Sequence, residues 1–239
     1  MRAAYVLTVV LTGAILISGC VQTVTNQSKG SGTMATETRN VATFTSINFA
    51  VPGTLHVTQN DTQSVKVEAE SDVISRIGTE VSNGILTVDA AEPIVTTEPI
   101  NVYVSLSAID GISNDGAGTV ISDSMLTTNA LSLTLQGAGT FNIYLNTTQL
   151  TTRISGAGTA NLRGNATNHT VVLTGVGSLR SSELATETTS ITITGAGSAE
   201  ATVTKSLDVS ITGTGSVKYH GSPEVHKQIT GVGTVQKTG

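Results

Sequence analysis

The chain has no tryptophan, one cysteine and four prolines in 239 residues; aromatic residues make up 3 % and charged residues 12 %. Each shortage excludes something. A lone cysteine, Cys20, forms no internal disulfide, and it needs another explanation in an exported chain. The lack of aromatic platforms and of grouped Asp, Arg or Lys counts against a sugar-cleaving β-helix enzyme. A net charge of −5 with no basic stripe argues against nucleic acid. Catalytic signatures are missing as well: there is no Gly-x-Ser-x-Gly elbow, no Walker loop and no His-Glu-x-x-His. Gly30–Ala35 fits a loose dinucleotide fingerprint without the strand that should precede it. His220, Glu224 and His226 read as scattered surface residues rather than metal ligands. No cofactor or metal is implied.

Glycine, by contrast, is abundant and ordered. Seven Gly-x-Gly-Ser/Thr phrases begin at Gly116, Gly137, Gly156, Gly175, Gly195, Gly213 and Gly231, in steps of 21, 19, 19, 20, 18 and 18 residues. Their second glycines are Gly118, Gly139, Gly158, Gly177, Gly197, Gly215 and Gly233. Such a period means that one supersecondary unit stacks repeatedly, each copy unable to bury its apolar face alone. Alternation flanks the phrase, as in Leu131-Leu133-Leu135 and Phe141-Ile143-Leu145, which is the signature of half-buried strand.

The fold expected is therefore all-β: a single-stranded parallel β-helix of 18–21-residue coils, right-handed by the general preference of parallel crossovers. The glycines form a corner at which a Cβ would obstruct the next coil, about 4.8 Å away. Three strands of about five residues per coil fit the period. The small residue inside each phrase (Ala117, Ala138, Ala157, Val176, Ala196, Thr214, Val232) is expected to point inward, and the Ser/Thr after it to form a file of hydroxyls. Asn114 stands where later copies carry an apolar residue, so the first copy reads as the capping coil that opens the stack.

Residues 1–19 read as a signal peptide: Arg2, an apolar run from Ala3 to Ile17, then Leu16-Ile17-Ser18-Gly19-Cys20. That ending resembles the bacterial lipobox. The resemblance implies a membrane lipoprotein acylated at Cys20, with palmitate-type chains holding it to the envelope. Val21 gives no Asp-type retention signal, which implies the outer membrane where the organism has one. Residues 20–40 are polar and read as a flexible tether. Residues 41–239 form the domain, its first part built of less regular strands with a hairpin signal at Asn83-Gly84 and a short helical turn near Asp72–Ile77. No acidic residue lies between Asp123 and Glu183, while Arg153, Arg163 and Arg180 do, so one cationic face for an anionic glycan or lipid head group is expected there.

Gly-Ala-Gly-Thr, Gly-Val-Gly-Ser and Gly-Thr-Gly-Ser at these intervals, with the closing passage Gly213–Pro223, resemble the bacterial head GIN domain over residues 41–239. That domain of unknown function is described as the head of an autotransporter-type adhesin. The resemblance implies a β-helical envelope protein and supplies no catalytic residues. The leading expectation is a non-enzymatic, envelope-anchored, adhesin-like module that presents its surface to glycan or to an envelope or host protein. The alternatives are a polysaccharide-acting β-helix enzyme, an envelope sensor or assembly factor, and an ice-binding array of threonine ranks.

Overall fold

The computed structural model describes residues 31–238. The segment read as a signal peptide, Cys20 and the first part of the expected tether lie outside the described residues. The strands are β1 (Met34–Arg39), β2 (Ser46–Phe49), β3 (Thr54–Gln59), β4 (Ser64–Glu70), β5 (Ile77–Ser82), β6 (Ile85–Ala90), β7 (Asn101–Leu106), β8 (Gly111–Asn114) and β9 (Thr119–Ser122). They continue as β10 (Leu126–Leu135), β11 (Thr140–Ile154), β12 (Thr159–Leu173), β13 (Ser178–Gly195), β14 (Ser198–Gly213), β15 (Ser216–Gly221), β16 (Glu224–Gly231) and β17 (Thr234–Lys237). One 3-10 turn, Ile74–Arg76, interrupts them. Among the described residues no helix is long and apolar enough to cross a membrane.

From β8 onward the chain winds as a parallel β-solenoid, and each coil pairs with the next, in register except where β13 meets β12 and β14. One interior file runs Phe49, Asn114, Leu135, Ile154, Leu173, Ile193 and Ile211, and ends at Ile229, which is exposed on the last coil. A second runs Leu55, Val120, Phe141, Ala160, Leu179, Ala199 and Val217, in which large Phe141 and Leu179 are set against small Ala160 and Ala199 so that the layers interdigitate. The strands are longer than the period suggests. β11 runs unbroken for 15 residues, and the chain turns where the burial phase slips, at exposed Thr148 and Gln149. Ladder hydrogen bonds thus carry through the bend, where three separate five-residue strands were expected.

At the glycine corner the inward phase is kept: Ile154, Gly156, Gly158 and Ala160 all fall on the inner side. The residue inside the phrase is consequently turned outward, contrary to expectation. All seven are exposed, Val176 by 63 % and Val232 by 79 %. It is the glycines that face the crowded side. A Cβ on Gly156 would strike the carbonyl oxygens of Gly137 and Gln136 in the coil below. The hydroxyl file is present and longer than expected, running Thr54, Thr119, Thr140, Thr159, Ser178, Ser198, Ser216 and Thr234.

The N-terminal strands extend the stack and then close it. β2 and β3 lie parallel to β8 and β9 on one side and to β6 and β7 on the other. Asn114 is therefore buried in the middle of the solenoid, where its Nδ2 donates to Gly118 O at 2.8 Å, and the first glycine phrase does not open the stack. Antiparallel strands finish the end: β5 pairs with β6 across an Asn83-Gly84 turn whose residues both have positive φ, and β4 pairs with β7. Outermost is β1, antiparallel to β4 over six residue pairs. Residues 34–39 were expected in the tether. They form a strand whose half-buried face carries Ala35, packed on the core, and beside it Glu37 and Arg39, paired at 2.9 Å, while Met34, Thr36 and Thr38 face out.

Glu70 fastens this closure. Its carboxylate is buried and accepts hydrogen bonds from Gly32 N at 2.7 Å, Thr96 Oγ1 and Thr97 Oγ1 at 2.5 Å each, and Thr97 N at 3.2 Å. The two threonine hydroxyls, more than the backbone donors, hold its pKa down to about 2. The folded chain thus binds this proton less readily than the unfolded one, so the stabilisation is complete above about pH 4.5 and is lost as the pH falls toward about 2. Glu70→Gln is expected to lower the melting temperature at neutral pH and to flatten the pH dependence within that window; circular dichroism melts across the range check both.

Candidate ligand-binding groove

On the outward face of the half-coils that follow the glycine phrase, side chains stack in files at the coil spacing. One file reads Lys66, Tyr103, His56, Ile121, Asn142, Asn161, Arg180, Glu200 and Lys218. A neighbouring one brings Tyr144, Arg163 and Glu183 together. Between them lies a groove of about 470 Å³. Along the stack its wall runs from Ser122 and Asn142, through Asn161 with Arg163 and Arg180 with Glu183, to Glu200.

A bulge makes the groove. β12 and β13 lose register between Asn161 and Arg163, and β13 and β14 lose it between Ser181 and Ala185. The extra length lifts Ser182 out of both ladders and Glu183 out of the one with β14, and opens a trough, a common use of bulges beside functional sites. Hydrogen bonds stitch the distortion in place: Ser181 Oγ donates to Glu200 O at 2.6 Å, Thr202 Oγ1 to Ser182 O at 2.7 Å and Thr186 Oγ1 to Thr202 O at 2.8 Å. The bulge falls in the coil between Gly175 and Gly195, whose 20-residue step exceeds the 19 before it. That step was the signal available in the sequence.

The polar groups of the groove are only partly satisfied within the chain. Asn161 Nδ2 donates to Asn142 Oδ1 at 2.8 Å, which leaves the amide nitrogen of one and the oxygen of the other facing out. The Arg163 guanidinium lies 5.1 Å from the centroid of the Tyr144 ring. Among the described residues neither Arg163 nor Arg180 has a carboxylate within 4.0 Å, and Glu200 reaches only Lys218, at 3.9 Å. Two unpaired guanidinium forks in one trough can seize a carboxylate or another oxyanion.

Of the three arginines expected on one face, the fold brings together Arg163 and Arg180. Arg153 belongs to the half-coil before the glycine corner, in a file with Thr134 and Val172, and faces away from the groove. Periods of 18–21 residues align whole coils, but Arg153 and Arg163 sit at different places within their coils. The same half-coils bear the threonines that precede the corner. The rank reads Gln136, Ser155, Thr174, Thr194, Thr212 and Thr230, and the adjacent one Thr134, Arg153, Val172, Thr192, Ser210 and Gln228. Gln136, Arg153 and Val172 break the regular hydroxyl array that an ice surface would require. His226 contacts Glu224 at 3.4 Å and His220 contacts Thr238 at 3.3 Å; among the described residues no three His, Cys, Asp or Glu side chains could share a metal ion.

A second cluster on the groove face is satisfied internally. His56 stacks on Tyr103 at 4.8 Å and its Nδ1 lies 3.1 Å from Asp123, while Lys66 covers the other side of the Tyr103 ring at 4.2 Å. Burial, with the hydrogen bond to Glu68 second, raises the pKa of Tyr103. These groups are engaged with one another and close the face at the N-terminal end of the stack.

Residues 43–223 match the family model described as "Putative auto-transporter adhesin, head GIN domain". The chain belongs to this family. Among curated proteins no relative is found. The head GIN domain is similar to the crystal structure of a putative adhesin from Bacteroides fragilis, with TM-score 0.83 and 24 % identity over 88 % of this chain and 99 % of that one. A putative lipid binding protein from Parabacteroides distasonis superposes with TM-score 0.73 at 17 % identity, covering 88 % and 99 %. A putative adhesin from Parabacteroides merdae does so with TM-score 0.68 at 22 % identity, covering 88 % and 98 %. At these identities the likeness establishes a shared solenoid and leaves the groove to be judged on its own residues.

Proposed function

We propose that this head GIN domain is a non-enzymatic, adhesin-like binding module of the cell envelope, which uses the bulge groove to hold its ligand. The observation that carries the reading is the groove itself: a concavity set by the bulge, with two guanidinium groups and an amide pair turned to solvent. The family description and the adhesin-named neighbours support the same role. In this reading Cys20 carries the acyl anchor, with two or more chains at about 0.8 kcal/mol per buried methylene giving lasting attachment. The polar residues after it hold the solenoid clear of the lipid surface.

The test is adhesion of the purified full chain to host-cell matrix, glycan surfaces and envelope extract, wild type beside the double variant R163Q/R180Q. The expected result is saturable binding to at least one surface, weakened about tenfold or more by the double variant, the loss of one or two charge-assisted hydrogen bonds. Binding that the variant leaves unchanged would move the ligand site elsewhere on the solenoid.

One observation favours an enzymatic alternative. The groove gathers Glu183 and Glu200 beside Arg163 and Arg180, the residue types that a polysaccharide-acting enzyme groups in its cleft. Glu183 is exposed and Glu200 leans toward Lys218, an arrangement better suited to holding hydroxyls than to general acid catalysis, which calls for a raised pKa in a desolvated site. Release of reducing ends from a bound polysaccharide, abolished by Glu183→Gln, would establish the enzyme instead.

A further inference from the structure

Resting on that binding reading, we infer that the groove takes an extended saccharide chain bearing a carboxylate, laid along the stacking axis with the carboxylate between Arg163 and Arg180. Shape comes first. Ile121, Asn142, Asn161, Arg180 and Glu200 are register neighbours on five successive coils, so at about 4.8 Å per coil the trough is roughly 19 Å long. A compact molecule fills a fraction of that length; a chain fills all of it.

The order of the charges selects among chain-like ligands. Amides and a hydroxyl line one end, the middle coils carry Asn161 with Arg163 and Arg180 with Glu183, and Glu200 lines the other end. A polyphosphate or a nucleic acid strand would bring negative charge against both glutamates. A saccharide meets every section: its hydroxyls both donate and accept, so they answer the outward amide nitrogen and oxygen of the Asn142–Asn161 pair and donate to the two carboxylates. Opposite charge is required only at the arginines, where a planar carboxylate matches the guanidinium fork.

Preorganisation is the third argument. Tyr144 supports the Arg163 guanidinium from one side, and Ser122 Oγ accepts from Tyr144 N at 2.7 Å, which fixes that strand. With the bulge bonded to β14, little of the site has to be ordered when a ligand arrives.

The experiment is calorimetric titration of the purified full chain with a xylo-oligosaccharide bearing a single glucuronate, with its carboxyl-reduced neutral counterpart and with inorganic polyphosphate. Variants R163Q/R180Q, R163K/R180K and R153Q are run in parallel. The inference expects uronate binding that weakens about tenfold or more in the glutamine pair, partly in the lysine pair, which keeps charge without the fork, and not at all in R153Q. It also expects a comparable loss for the neutral counterpart and weaker binding of polyphosphate. Equal affinity for the neutral saccharide, preference for polyphosphate, an equal loss in R153Q or no saccharide binding would each overturn it. If adhesion to surfaces persists and still depends on Arg163 and Arg180 while no saccharide binds, this inference falls and the adhesin-like reading stands; if the chain adheres to nothing, that reading falls as well.

Discussion

Gly156→Ala is expected to cost the fold more than about 4 kcal/mol, while Ala157→Val beside it costs less than about 0.5 kcal/mol. The contrast follows from the way the corner keeps its inward phase. At position 156 the new Cβ meets the backbone carbonyls of Gln136 and Gly137, part of a ladder that cannot retreat without breaking register. At position 157 a side chain points to water, as Val176 already does in the next coil. Since a whole domain is stable by only about 5–15 kcal/mol, one corner methyl consumes much of that margin. Urea unfolding followed by circular dichroism measures both variants. A Gly156→Ala protein with the wild-type midpoint would show that the coils can part at the corner.

Acid is expected to weaken the solenoid well before it reaches the carboxylates, through His169. The ring is buried in the file Leu150, His169, Thr189 and Leu207; its Nε2 lies 2.9 Å from Thr152 Oγ1, and its Nδ1 has no partner in the chain. Burial alone drives its pKa down to about 3, from an ordinary value of 6.5. The unfolded chain therefore takes up this proton first. Stability is complete above about pH 6.5 and falls progressively as the pH drops toward about 3, with a limiting slope of about 1.4 kcal/mol per pH unit. The stabilisation from Glu70 is constant above about pH 4.5 and varies only below it, so the interval between 6.5 and 4.5 isolates the histidine. His169→Leu, which continues the apolar file, is expected to remove the slope in that interval. It leaves the Thr152 hydroxyl without its partner at an expense of about 1 kcal/mol at neutral pH. Chemical denaturation midpoints at stepped pH, wild type beside variant, decide the matter; parallel curves above pH 4.5 would refute the assignment.

What could be read from the chain beforehand divides along a physical line. Properties that depend on translation by one coil were legible: the parallel stack, the hydroxyl file from Thr119 to Thr234, and the buried triplets Leu131-Leu133-Leu135 and Phe141-Ile143-Leu145. Properties that depend on rotation within a coil were not. A repeat fixes which residues lie above one another and leaves open which way each file faces, so the residue inside the glycine phrase was placed inward and Arg153 beside Arg163. Pairing between segments of unlike sequence was also hidden: nothing in Met34–Arg39 announces β4 as its partner, because Thr36 and Thr38 resemble the polar residues before them. The groove was half visible. Arg163 and Arg180 stood out by the absence of acidic neighbours in sequence, but the bulge that sets Glu183 beside them appears only as one surplus residue in a spacing.

The equal 18-residue steps on either side of Gly213 mean that the gene could lose the segment 213–230 and rejoin Thr212 to Gly231 with the remaining ladders in register. Duplication of a coil works the same way. Length in this molecule is therefore digital: each event moves the two ends apart or together by about 4.8 Å and preserves the azimuth of all faces. Reach from a cell surface can then be adjusted over generations by coils outside the trough, while the five coils that line it are held constant. Recognition and stature become separately heritable traits of one polypeptide.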